Sequence, residues 1–168
     1  MNVLVAVASR HGSSLEIGEV IATTLRTRGL QADVHSVETV TSLDGYDAVV
    51  LGSSVYSGHW LRRARVFVDT FEAELVGRPL WLFSSGPVGD PPSPLENPVE
   101  VAALVERLGP RSHRLFGGRI AGSELGLAEK ALVTLVRAPY GDFRPWSEIS
   151  VWAEAIAAEL ERPASASA

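Results

Sequence analysis

The sequence predicts one α/β domain built as a doubly wound parallel sheet of five strands in three layers, and two observations carry that expectation. Strand-like and helix-like segments alternate from end to end. The strands themselves, such as VLVAVA at residues 3–8, are continuous apolar runs instead of in/out alternations, the pattern of strands covered on both faces. With 168 residues, 46% apolar and 21% charged, the chain is long enough for one core and too short for a second catalytic domain. The domain is expected over residues 1–162, with 163–168 as an unstructured tail.

The elements follow in order. Val3 to Ala8 is the first strand, and a helix follows from about Ser14 to Arg28, with Ile17, Val20, Ile21 and Leu25 on one face and Gly29 to end it. Gln31 to Val37 is shorter and more polar, which suits an edge strand. Ala48 to Gly52 is the third strand, after the turn-forming Asp44-Gly45. A second helix spans Leu61 to Leu75, with Leu61, Ala64, Val68, Phe71 and Leu75 inward and Arg62, Arg63, Arg65, Asp69 and Glu72 as a solvated face. Pro79 to Ser84 is the fourth strand. Gly86 to Pro98 holds five prolines and reads as loop. Val99 to Leu108 is a helix and Arg114 to Ile120 the fifth strand. Glu148 to Leu160 is the last helix, burying Ile149, Trp152, Ala153, Ile156 and Leu160. The long connection before it carries a short amphipathic helix over Leu127 to Val136.

Composition excludes several classes. Cysteine is absent, which rules out thiol catalysis, disulfides and thiolate metal sites. A formal net charge of −5 with scattered arginines gives no nucleic-acid footprint. The apolar N-terminus has no basic leader and is too short to span a bilayer, so a cytoplasmic protein without a transmembrane segment is expected. Arginine and alanine dominate over lysine, as in GC-rich bacterial genomes.

In open parallel sheets, ligands bind beyond the carboxyl ends of the strands, where the winding reverses. The loop after the first strand is Ser9-Arg10-His11-Gly12-Ser13-Ser14, running straight into a helix at which Ser13 and Glu16 match a capping box. Free backbone N–H groups, the helix dipole and three hydroxyls make a phosphate site, with Gly12 allowing the turn. Serines at such positions also serve simply as caps, and these residues alone leave both readings open. The loop lacks the dinucleotide glycine spacing and the Gly-Lys-Ser/Thr of a P-loop, and the strand end lacks the acids a magnesium-binding receiver domain needs. After the third strand come Ser53-Ser54-Val55-Tyr56-Ser57-Gly58-His59-Trp60, where a flat heteroaromatic ligand would stack on Tyr56 or Trp60. Ser85-Gly86-Pro87-Val88-Gly89 after the fourth strand forms an opposite wall; ordinary turns are the plain alternative for both loops.

Three stretches, ASRHGSSLEIGEVIA, VVLGSSVYSGHWLRRARVFV and GDFRPWSEISVWAEAIAAEL, together resemble the flavodoxin superfamily, and within it the flavodoxin-domain proteins related to menaquinone-dependent protoporphyrinogen oxidase. The resemblance covers roughly the whole chain. It implies strand order two-one-three-four-five and FMN at the switch point. Carried over by position, Ser9, Arg10, His11, Gly12, Ser13 and Ser14 surround the FMN phosphate, while Ser53, Ser54, Val55, Tyr56, Ser57 and Gly58, and Ser85, Gly86, Pro87, Val88 and Gly89, border the isoalloxazine ring. His11 stands where flavodoxins usually have a hydroxyl residue, so the imidazole N–H replaces that donor or the phosphate is held less tightly.

The family's oxidases carry a basic, hydrophobic insertion near the end of the sheet. Here residues 119–146 hold Arg119, Lys130, Arg137 and Arg144 but also Glu124, Glu129 and Asp142, and no strongly membrane-seeking surface results. The resemblance implies an FMN-dependent oxidoreductase passing electrons between an organic donor, with protoporphyrinogen IX as one candidate, and a quinone. Two other readings are an electron carrier with a redox-protein partner and a binding or regulatory domain that has lost flavin. Arg10, His11, His59 and Arg62 near the site argue against the acidic docking face of a carrier. Trp152 and the arginine-rich second helix are candidates for a homodimer interface.

Overall fold

The computed structural model describes residues 1–86, 99–135 and 138–162. In chain order its strands are β1 (Asn2–Ala8), β2 (Gln31–Ser36), β3 (Ala48–Tyr56), β4 (His59–Trp60), β5 (Leu80–Ser85), β6 (Ser112–Phe116), β7 (Arg119–Ile120) and β8 (Gly141–Asp142). Its helices are α1 (Ser13–Thr27), α2 (Arg62–Val76), α3 (Val99–Leu108), α4 (Leu127–Leu135) and α5 (Trp146–Glu161). The main sheet runs β2-β1-β3-β5-β6, every pair parallel, which is the expected two-one-three-four-five order.

Alternation along the central strands builds two cores. Val3, Val5 and Val7 of β1, with Trp81 and Phe83 of β5, meet Ile17, Ile21 and Leu25 of α1 and Ile149, Ile156 and Leu160 of α5. Leu4, Ala6 and Ala8, with Leu80 and Leu82, meet Ala64, Phe67, Val68 and Leu75 of α2 and Val101 and Leu104 of α3. Apolar side chains on both strand faces therefore require helices on both sides, and the sequence supplies them alternately. The arginines of α2 are surface ion pairs, as read: Arg63 with Glu38 and Arg65 with Glu100.

Three expectations shift. The third strand continues four residues past Gly52 and folds back through Ser57 (φ 49°) and Gly58 (φ 78°) into β4, a two-residue hairpin with both loop residues left-handed. The fifth strand stops at Phe116 instead of Ile120. Beyond it Gly117 passes directly under the backbone of Phe143, where a Cβ would lie 2.0 Å from the Phe143 carbonyl oxygen, and Arg119–Ile120 pairs antiparallel with Gly141–Asp142. Residues 119–135 and 138–142 thus leave the sheet, with β7 and β8 paired and α4 between them in the chain. Finally, Ser13 is the first helical residue of α1 and not its cap. Gly12 takes that place, at φ 79°, with no side-chain capping bond, and the Glu16 carboxylate turns to Arg119 and Arg144.

Gly52 is a close-approach position: a Cβ there would lie 2.0 Å from Cζ of Phe83. Gly52→Ala is expected to destabilise the protein by about 1–3 kcal/mol through overpacking. Adding Phe83→Leu should recover part of that loss, which urea unfolding of the two single variants and the double variant will measure.

His113 gives a second prediction. Trp60 Nε1–H donates to Ser84 Oγ at 2.8 Å, and Ser84 Oγ shares a second hydrogen bond with His113 Nε2 at 2.9 Å. Burial pushes this imidazole down to about 4, from an ordinary value near 6.5. Between those two pH values the unfolded chain binds a proton that the native chain does not, so stability falls as pH is lowered through this window, by at most about 3 kcal/mol. His113→Gln should flatten that part of the stability profile between pH 7 and pH 4.

Candidate functional site

The carboxyl ends of β1, β3 and β5 lie side by side where the winding reverses, and the predicted loops after β1 and β3, with Ser85 and Gly86 of the third, start there. In the first, Ser9 Oγ accepts the N–H of Ser14 at 3.2 Å. Among the described residues, the backbone N–H groups of Arg10, His11, Gly12 and Ser13 find no acceptor. Those donors lie at the amino end of α1, where the helix dipole adds positive potential. The left-handed Gly12 forms the corner, in open space where a Cβ meets nothing within 4 Å, so its backbone angle and not crowding asks for glycine.

Several of the predicted serines point inward. Ser14 is 1% exposed, and its hydroxyl meets that of Ser54 at 2.7 Å, which ties the first loop to β3. Ser53 is wholly buried; its hydroxyl donates to the Ser54 carbonyl and accepts the N–H of Leu61 at the start of α2. Ser85 is also buried and donates to the Gly117 carbonyl at 3.4 Å. These hydroxyls hold the loops in register. Trp60, expected as a stacking ring, is 1% exposed because it belongs to the core beneath the hairpin. Tyr56 is the ring left at the surface, with the Arg10 guanidinium 5.5 Å above its centroid. Burial raises the Tyr56 phenol above its usual range. Val55 lies against Gly86, where an added Cβ would come within 3.1 Å of it, so the loops after β3 and β5 touch. Ser57 and Gly58 form the hairpin tip, and His59 is exposed and bonded to Glu100. Pro87, Val88 and Gly89 lie outside the described residues, as does the tail 163–168.

Residues that the sequence reading did not single out dominate the electrostatics. Glu129 of α4 places Oε1 at 3.0 Å from both Arg10 Nε and His11 Nε2, and Oε2 at 2.9 Å from the N–H of Gly126. The Gly126 N–H first, and then His11, hold its carboxyl below the usual range. Arg144, counted above among the basic residues of a surface segment, has a side chain only 2% exposed. It binds both oxygens of Asp142, Glu16 Oε2 at 2.6 Å and the Ser13 carbonyl at 3.1 Å, with its guanidinium 4.3 Å from the Trp146 ring centroid. Burial opposes its charge, but the hydrogen bonds to Asp142 and Glu16 outweigh that and raise its pKa, while Asp142 is lowered in return. Asp142 and Arg144 stand two apart in extended chain, the spacing that sets side chains on one side, and that was the available signal. A groove of about 800 Å³ between the segment after β2 and α2, lined by Val37, Val40, Phe67, Phe71 and Arg63, shares Arg10 with this site.

A parallel sheet of this order, with a loop after β1 that presents N–H groups without an acceptor among the described residues, defines an open α/β protein, a class whose ligands bind at the strand ends. The model of the flavodoxin domain family matches residues 4–144, and the chain belongs to that family. It is similar to protoporphyrinogen IX dehydrogenase (quinone) of Escherichia coli strain K12, 31% identical over 86 residues, or 50% of this chain and 48% of the relative. The chain thus spans about half the length of the curated relatives it matches. Among solved structures, a flavodoxin from the domain Archaea superposes with a TM-score of 0.68 at 18% identity, covering 96% of this chain and 100% of that one. A mutant flavodoxin of Pseudomonas aeruginosa reaches 0.65 at 16% identity, with the same coverage. At these identities the structures speak for the fold alone. FMN is the flavodoxin cofactor, and the donor set after β1 suits its phosphate: four N–H groups without an acceptor among the described residues, a guanidinium and an imidazole that already hold one anion, the Glu129 carboxylate. No helix among the described residues is long and apolar enough to cross a membrane.

Replacing Arg144 by Gln would leave Asp142 and Glu16 without their cation beside the first turn of α1. The expected loss is about 2 kcal/mol, short of a fully buried pair because both acids are half exposed. Urea unfolding will measure it, and hydrogen exchange should locate the loosening at β8 and the start of α1.

Proposed function

We propose that this protein is an FMN-dependent oxidoreductase that moves electrons from an organic donor to a quinone. The observation that carries the reading is the loop Ser9 to Ser14, whose unpaired N–H groups, Arg10 and His11 gather at the amino end of α1 in a chain of the flavodoxin family. In this reading that loop holds the phosphate. The Tyr56-Ser57-Gly58 hairpin tip, Val55 and Gly86 border the ring. When bound, FMN supplies the redox chemistry, and the side chains contribute position, charge and exclusion of water. Tyr56 offers a phenol O–H donor at the edge of the site, and burial moves its titration further above the usual range.

Protoporphyrinogen IX and a quinone are the donor and acceptor to assay first, because the Escherichia coli relative bears that name. Each quinone reduced to quinol takes two electrons and two protons from the donor. The positive groups Arg10 at the loop and Arg62 in the adjoining groove favour an enzyme acting on small molecules over a carrier docking on basic partners.

Fluorescence titration with FMN tests the reading. Gly12→Ala should fold, since its Cβ has open space, but strain the left-handed corner and weaken FMN binding about tenfold, on the order of 1 kcal/mol. Binding followed by quinone reduction with a porphyrinogen donor supports the enzyme. Binding with electron transfer only to proteins supports the carrier, and no binding at millimolar FMN leaves a binding domain.

A further inference from the structure

We infer that Glu129 is a built-in competitor for the phosphate subsite: a bound phosphate displaces its carboxylate from Arg10 and His11 and thereby releases α4. The inference rests on reading the loop after β1 as a phosphate site. Glu129 divides its two oxygens between two tasks. Oε2 receives the Gly126 N–H from the residue preceding α4, so it caps its own helix; Oε1 alone reaches the loop, at 3.0 Å from Arg10 Nε and 3.0 Å from His11 Nε2. The contact at His11 requires the proton on Nε2, the same N–H that a phosphate would use.

A dianionic phosphate at this loop and an ionised carboxylate cannot both sit against one guanidinium and one imidazole without strong like-charge repulsion. Glu129 is held in its ionised form by Gly126 and His11, so protonation does not relieve the conflict near neutral pH. Movement does. Leu127 and Leu135, at the two ends of α4, are 89% and 80% exposed, so these side chains do not anchor the helix by burial. What anchors the base of the insertion is separate: Arg144 on Glu16 and the Ser13 carbonyl, and Phe143 N–H on the Gly118 carbonyl. Among the described residues, the Glu129 carboxylate is the side chain of α4 that holds the loop, so its loss lets the helix move relative to that stem. Because such coupling is reciprocal, Glu129 sets the affinity for the phosphate as surely as the phosphate sets the position of α4.

Glu129→Gln keeps an oxygen to cap α4 and removes the charge. FMN should bind this variant about tenfold more tightly than the unaltered protein, within the usual range of site-to-site coupling. Hydrogen exchange over residues 121–135 provides a readout without flavin. In the unaltered protein, inorganic phosphate at ionic strength matched with chloride, and separately FMN, should speed exchange there; in the variant, exchange should already be fast and insensitive to both. Unaltered exchange on adding either anion, or FMN binding to the variant no tighter than to the unaltered protein, overturns the inference while leaving flavin binding intact. If FMN binds neither protein but inorganic phosphate frees α4 only in the unaltered one, the competitor role stands and the flavin reading falls.

Discussion

Covering both faces of the sheet is the constraint from which the rest of the molecule follows. Val3, Val5 and Val7 are closed off by α1 and α5, and Leu4, Ala6 and Ala8 by α2 and α3, so the central strands are buried over all but their ends. Polar chemistry is then confined to the strand ends, and the parallel direction puts the amino end of α1, with its unpaired N–H groups, at the carboxyl end of β1. Position at the switch point, positive potential and exposure at the first loop come from one arrangement of layers.

The loops at that edge are held by small buried hydroxyls. Ser14 and Ser54 bond to each other, Ser53 bonds to the start of α2, and Ser85 bonds to the chain leaving β6. Each satisfies a polar group that burial would otherwise leave without a partner, and together they fix the spacing between neighbouring loops. In the first loop Ser14 is taken up by Ser54, and the backbone N–H groups of residues 10–13 stand beside the half-buried Ser9 and Ser13. Arg10 and His11, the two side chains that depart most from a plain serine-rich loop, hold the Glu129 carboxylate there.

The insertion between β6 and α5 brings its own charge to this edge. Arg144, Arg119 and Glu129 all reach the first loop or the first turn of α1, so the segment is joined electrostatically to the site that it borders. Its acids and bases are thus interpretable as pairs. Counted as composition they only cancelled.

Sequence by itself determined the layer architecture and the parallel sheet, and pointed to the loop after β1 as the candidate site, because apolar runs, helical periodicity and a Gly-Ser loop before a helix are local properties of the chain. The buried stripe Ile149, Trp152, Ala153, Ile156 and Leu160 of α5 and the polar edge strand β2 were legible for that reason. Tertiary structure alone decided which serines face inward, that Trp60 belongs to the core, that β6 ends where Gly117 passes under Phe143, and that Glu129 meets His11 across 118 positions of sequence. A hydroxyl or a carboxylate takes its role from the partner that folding places within about 3 Å of it, and no local pattern encodes that partner.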